Sequence, residues 1–218
     1  MNVLMIDDHP TQLDGYKAIL EYNEMGIDIN VTKAIDTKSA YDIITHPEDY
    51  PFFDIILLDI GMPEYEEKNI TSGEDLGLLI KQYSPKSRVI IITSYFGGLI
   101  LYELLQKIKP KGLLVKSDID GEDLLEAFEN VYFGKEFYSE TVRKAKNIII
   151  SNYNYLDSIN RKIILLLAQG VKTKDLTQHI DLSISAIEKR KIAIKEYFGL
   201  EKASQDDILE KSRALGLI

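Results

Sequence analysis

The strongest constraint on the fold is a rhythm in the first 130 residues. Five short apolar or β-branched runs, Val3 to Ile6, Ile29 to Ile35, Ile55 to Leu58, Val89 to Ile92 and Gly112 to Val115, alternate with segments whose apolar residues recur at helical spacing. The helical segments are marked by Leu13, Ala18 and Ile19; Ala40, Ile43 and Ile44; Leu76, Leu79 and Ile80; Leu101, Leu104 and Leu105; and Leu124, Leu125 and Phe128. Strands that are apolar without alternation are buried on both faces, so the pattern predicts a doubly wound α/β fold with a five-stranded parallel sheet between helical layers. Such sheets place their working site beyond the carboxyl ends of the strands, at the point where strand order reverses.

After Gly134 the rhythm stops. Residues 139–150 are expected to form a helix leading into the linker "SNYNY" at 151–155. From Asp157 onward no strand is expected, only helical segments at 158–168, 173–179, 184–198 and 204–215, punctuated by Gly170 and by a plausible N-cap, Ser183. Three parts follow: 1–134, a connecting stretch at 135–155, and a small helical domain at 156–218. Charge divides the same way. Residues 151–218 carry 11 Lys and Arg against 9 Asp and Glu, net +2, whereas residues 1–150 carry 15 against 26, net −11. An acidic part is joined to a mildly basic one, and different partners are expected for each.

Several classes are disfavoured. Absence of Cys removes disulfide frameworks and thiolate metal sites. The start, MNVLMIDDHP, has no basic region and reaches paired acids at once, unlike a secretory signal. Apolar runs such as Ile163 to Ala168 fall well short of the roughly 18 residues that span a bilayer. A soluble cytoplasmic protein is expected. His9, His46 and His179 are scattered, and support no histidine metal site.

Chemistry collects at the predicted strand ends. Asp7 and Asp8 follow the first run, Asp59 ends the third, Thr93 the fourth, and Lys116 follows the fifth. Each alone has an ordinary explanation: Asp8 as an N-cap, Thr93 as a β-former, Lys116 as a solvated charge. Together they bring three mutually repelling carboxylates, a hydroxyl and an ammonium to one edge. All-oxygen ligation points to a hard cation, Mg²⁺ before a transition metal. The set suits phosphoryl handling, in which cationic groups neutralise phosphoryl oxygens while a carboxylate attacks phosphorus.

The segments "IDDHP", "LLDIGMP", "IITS" and "LLVKS", in this order and spacing, resemble the receiver domain of two-component response regulators over about the first 130 residues. The resemblance implies a flavodoxin-like fold, Asp59 as phosphoacceptor, and Mg²⁺ held by Asp8, Asp59 and the Gly61 carbonyl with help from Asp7. It also implies that Lys116 pairs with the phosphoryl group, that Thr93 moves to hydrogen-bond it, and that the donor is a histidine kinase. Two departures stand out. Leu113 replaces the aromatic residue usual three positions before the lysine, leaving Tyr95 or Phe96 to take over its coupling to the threonine. The loop after Met62-Pro63 is also long, its expected glycine arriving only at Gly73, and it carries Glu64, Glu66 and Glu67.

Residues 156–218 resemble the LuxR-type helix-turn-helix of NarL/FixJ-type regulators, through "LLLAQG", "KDL…I", "LS" and "AI". On an ideal helix Ile184, Ile187, Ile194 and Phe198 share one arc, the expected core face. The opposite arc holds Ser185, Glu188, Lys189, Ile192 and Glu196, flanked by Arg190, Lys191 and Lys195. In a major groove that arc faces base edges, Lys189 toward guanine and Glu188 toward a cytosine amino group. Arg190, Lys191, Lys195, Lys172 and Lys174 are expected at phosphates. A net charge of +2 is modest, so strong binding of double-stranded DNA needs a homodimer, for which the resemblance implies the last helix. The reading is a non-enzymatic transcription regulator. Its rivals are an atypical regulator that binds DNA or a protein partner without phosphorylation, a phosphoesterase, and a protein-binding signalling module. The phosphoesterase reading is disfavoured because Gly61 stands where a second acid would be needed.

Overall fold

A computed structural model of the 218-residue chain describes residues 1–95, 97–151, 156–200 and 204–218. Phe96 and most of the expected linker, residues 152–155, lie outside the described residues. The chain forms two compact units, Met1–Tyr95 with Leu104–Val142, and Phe96–Glu103 with Arg143–Ile218.

In chain order the first part runs β1 (Asn2–Ile6), α1 (Pro10–Glu21), β2 (Asn30–Ala34), α2 (Thr37–Thr45), β3 (Ile55–Asp59), α3 (Gly73–Tyr83), β4 (Arg88–Thr93), α4 (Gly98–Lys107), β5 (Gly112–Val115), α5 (Gly121–Tyr132) and β6 (Phe137–Tyr138). All strands are parallel, in the order β2-β1-β3-β4-β5-β6. The order reverses between β1 and β3, which places the crevice at the ends of those two strands. β3 and β5 are buried along their whole length, as continuous apolar runs require. Val3, Met5, Ile55, Leu57, Ile90, Ile92 and Leu114 pack with Leu13 and Leu20 of α1 and Leu124, Phe128 and Val131 of α5. Burial of each such side chain contributes about 1.5–3 kcal/mol.

The helices start where their caps dictate. Asp36 accepts from Ser39 N, Ser72 from Glu74 N, and Asp120 forms a capping box with Asp123, while Pro10 opens α1.

The sheet has six strands where five were expected. The sixth is the two-residue β6, inside the stretch assigned to the connection at 135–155, and Phe137 N and Ser139 N donate to Lys111 O and Leu113 O across the edge of β5. Two residues show no periodicity, so only pairing with β5 reveals the strand.

The second unit is helical: α6 (Glu140–Ser151) runs into it, followed by α7 (Ser158–Ala168), α8 (Ile184–Tyr197) and α9 (Gln205–Ala214). The predicted 173–179 segment is a tighter 3₁₀ turn over Thr173–Gln178. Ile149, Ile163, Ile164, Leu167, Leu176, Ile187, Ile194, Phe198 and Ile208 form its core. Ser183 caps α8 by accepting from Ala186 N, and Ser204 forms a capping box with Asp207 on α9.

Candidate functional site

β1 and β3 are neighbours in register, Ile6 opposite Leu58, so the residues following them converge. Asp7 and Asp59 are buried at this edge, and ligand atoms of Asp7, Asp8, His9 and Asp59 all lie within 4.8 Å of one another. Lys116, just beyond β5, reaches across: its Nζ donates to Asp59 Oδ2 at 2.8 Å, Asp7 Oδ2 at 3.1 Å and Gln12 Oε1 at 2.8 Å. Burial pulls the Lys116 pKa down, but its bonds to Asp59 and Asp7 outweigh this and hold it above the ordinary lysine value. Burial beside the same carboxylates pushes the Tyr16 hydroxyl up to about 12.

The backbone around Asp59 is closely built. Gly61 N donates to Asp59 Oδ1 at 2.9 Å. A Cβ on Gly73 would stand 2.2 Å from Asp59 O, so α3 can begin against the end of β3 only with glycine there. Thr93 is buried at the end of β4, its Oγ1 accepting from Tyr95 N at 3.0 Å, while the Tyr95 side chain is exposed. Leu113 is fully buried in β5 opposite Ile91, an aliphatic core residue with no polar tip.

One carboxylate lacks compensation. Asp8 Oδ1 is sealed from solvent and makes no hydrogen bond. His9 Nδ1 lies 2.9 Å from it, but the direction of approach does not make a hydrogen bond; His9 N donates instead to Asp7 Oδ1. Three carboxylates against one ammonium leave negative charge unpaired, and a buried orphan oxygen is the mark of a cation pocket. The oxygen-rich donors fit a hard ion. His9, set aside in the sequence as one of three scattered histidines, thus sits at the acidic cluster, and Gln12 was missed altogether. Adjacency to Asp8 is a signal for His9; Gln12 gives itself away only by lying in the first turn of α1, facing the same edge.

The acidic loop folds as a small closed turn. Tyr65 and Ile70 form an antiparallel bridge, Glu66–Lys68 make a 3₁₀ turn, and Asn69 takes a left-handed conformation at φ 54°. Tyr41 meets the Tyr65 ring edge-on and takes Lys68 over its face. Glu64, Glu66 and Glu67 point outward and are exposed.

In the helical unit, α8 sorts its side chains into two sets. Ser185, Glu188, Lys189, Ile192 and Glu196 are exposed along one face, and Lys172 and Lys174 are exposed nearby in sequence. Arg190 is tied down, its Nη1 donating to Asp157 Oδ2 at 2.7 Å and Asn160 Oδ1 at 2.9 Å. Lys191 is buried, its Nζ donating to Thr173 Oγ1 at 2.7 Å. It stands four residues after Ile187 and three before Ile194, on the core face, so a phosphate contact is not what this geometry offers. Ile184, expected in the core, is 45% exposed, because as the first helical residue it projects past the edge of the packed cluster. Lys195 is half-buried.

A family model described as "Response regulator receiver domain" matches residues 3–129. The chain belongs to the response regulator receiver family. Similar proteins include the oxygen regulatory protein NreC of Staphylococcus aureus strain NCTC 8325, 26% identical over 96% of this chain and 95% of that one. NreC of Staphylococcus epidermidis strain ATCC 12228 is 24% identical with the same coverage. Among solved structures, RcsB from Salmonella enterica serovar Typhimurium, bound to promoter P1flhDC in the presence of phosphomimetic BeF3-, is 23% identical, with TM-score 0.66 over 100% of this chain and 99% of that one. An RcsB–DNA complex is 24% identical, with TM-score 0.64 over 98% of both chains. The likeness to these structures extends the shared fold through the helical unit. The receiver here keeps the acids, threonine and lysine at its strand ends, and has Leu113 on β5.

Proposed function

We propose that this response regulator takes a phosphoryl group from a histidine kinase onto Asp59 and uses its helical unit to bind double-stranded DNA as a homodimer, controlling transcription. The observation that carries the reading is the Lys116 contact with buried Asp59, set within the acidic cluster of a receiver. An Asp59 carboxylate oxygen attacks phosphorus, a new O–P bond forms as the donor P–N bond breaks, and an acyl phosphate results. Asp7, Asp8, Asp59 and the Gly61 carbonyl would hold Mg²⁺, which supplies charge neutralisation for the phosphoryl oxygens. Lys116 exchanges its bond to Asp59 for one to the phosphoryl group, and Thr93 Oγ1 moves to donate to it. The chemistry of the chain is confined to its own phosphorylation from a donor and slow loss of that group.

On α8, Ser185, Glu188, Lys189 and Ile192 face the bases, and Lys172, Lys174 and Lys195 lie toward phosphates. Arg190, held by Asp157, braces the helix, and the exposed face of α9 serves the dimer. RcsB has been seen on promoter DNA, which supports this reading. Among the described residues no helix is long and apolar enough to cross a membrane, in keeping with a cytoplasmic regulator. We assign residues 1–134 to the receiver, 135–155 to the connection and 156–218 to the DNA-binding domain.

Acetyl phosphate labelling read by intact mass is the test: wild type gains one phosphoryl group and Asp59→Asn gains none. Label retained by Asp59→Asn would place the acceptor elsewhere. Leu113 favours a second reading, in which DNA binding is independent of phosphorylation. Equal DNA affinity with and without a phosphoryl mimic would establish it.

A further inference from the structure

The acids crowd the carboxyl ends of the strands; at the opposite end, basic residues gather where β4 and β5 begin. Where β4 and β5 begin, a cavity of about 370 Å³ is lined by Lys81, Lys86, Arg88, Lys109 and Lys111, with no acidic residue in its wall. This is unexpected in a segment whose net charge is −11 over residues 1–150. Lys81 has an internal role, its Nζ donating to Lys107 O at the end of α4, where a cation complements the helix dipole. The other four side chains have neither hydrogen bond nor ion pair among the described residues.

Two of them cannot simply spread into solvent. Arg88 and Lys111 are half-buried at the starts of adjacent strands, where Arg88 N donates to Asp54 O and Lys111 N to Val89 O. In the β4–β5 register Lys111 falls opposite Val89, one residue along from Arg88. Lys109 follows α4 in the left-handed conformation at φ 56°, a position where glycine is the easy choice. Unpartnered cations around a concave site, two of them partly desolvated, are the complement of an anion with several charges. Arginine supplies a fork matched to phosphate oxygens and lysines supply point charges. Ile80, Val89, Ile108 and Pro85 give the cavity an apolar wall, and its volume is within the range of small-ligand sites.

We propose that this basin is a binding site for a small phosphorylated anion of diphosphate or nucleotide size. Arg88 grips a phosphate with both arms while Lys86, Lys109 and Lys111 close around it. The site is remote in the sheet from Asp59 and does not depend on its phosphorylation.

Isothermal titration of the full chain with pyrophosphate, in EDTA and without Mg²⁺, tests this. Saturable one-site binding is expected for wild type, weakened by about tenfold or more in Arg88→Gln/Lys111→Gln. Melting curves without ligand establish that this variant folds, and the independent pair Lys86→Gln/Lys109→Gln is expected to show the same loss. Parallel titrations with inorganic phosphate and ATP identify the source: ATP tighter than pyrophosphate assigns a base to the apolar wall, and equal affinities assign the phosphates alone. Absence of wild-type binding overturns the proposal. So does equal affinity in both double variants, or a loss that follows Lys189→Gln, which would put the anion on α8.

Discussion

Two charged regions of this chain are built on opposite plans. At the receiver edge the charges are inside: Asp7 and Asp59 are buried, and Lys116 spends its ammonium on Asp59, Asp7 and Gln12. On α8 the useful charges are outside, and the ones that look equivalent in sequence have been consumed by structure. Arg190 is bound to Asp157, Lys191 to Thr173, while Lys189 is exposed and has no such tie among the described residues. The proposed function asks for both plans: forming a covalent bond at Asp59 would need fixed, desolvated partners, whereas reading a DNA groove would need side chains free to reach it. The difference teaches that residue type alone does not mark function; the partner across the packing does.

Perturbing each plan should break or sharpen that contrast, and effects on folding stability rank as follows. Gly73→Ala should cost most, about 3 kcal/mol, because the new Cβ meets Asp59 backbone at 2.2 Å; urea unfolding measures it, and a cost near zero would show that α3 can withdraw from β3. Lys191→Ala should cost about 2 kcal/mol by losing a buried hydrogen bond to Thr173 and its packed stem, which a denaturant melt would read directly.

A smaller effect is expected from acid. Burial raises the Asp157 pKa, but the hydrogen bond from Arg190, the backbone N–H of Asn160 and the Arg190 charge together hold it below the ordinary 3.8. A carboxyl depressed on folding contributes stability that is present above pH 3.8 and lost as pH falls through its folded value. The helical unit should therefore lose melting temperature as pH falls below about 3.8, and Asp157→Asn should flatten that part of the profile. Smallest is Lys189→Ala, within about 0.5 kcal/mol of wild type in stability. Its DNA affinity should nonetheless drop by about 1–3 kcal/mol for a cognate site. A stability loss matching that of Lys191→Ala would erase the distinction between the two lysines.

Much of this was legible beforehand, for identifiable reasons. A strand buried on both faces must be apolar throughout, so β3 and β5 announced themselves, and carboxylates directly after such runs had to meet at the sheet edge. β6 was not legible, being two residues whose only signature is pairing with β5. Lys191 was partly legible: spacing from Ile187 and Ile194 puts it on the core face, but a lysine there reads as a snorkelling surface charge until Thr173 is seen to receive it. Ile184 misled in the opposite sense, because periodicity assigns a face but not where the packing partner ends.

The sequence by itself determined the alternation of strands and helices, the acidic edge with its threonine and lysine, and the arc of α8 that faces outward. Those follow from continuous apolar runs, from a local period of 3.6 residues and from parallel topology, which carries every strand end to one side. Only the tertiary structure decided which charges are spent and which are available. Gln12 and His9 joined the acids, Lys191 went inward, and Lys86, Arg88, Lys109 and Lys111 converged on one basin from chain segments with no common motif. Hydrogen bonding and burial depend on the groups that arrive from elsewhere in the chain, and no local pattern encodes them.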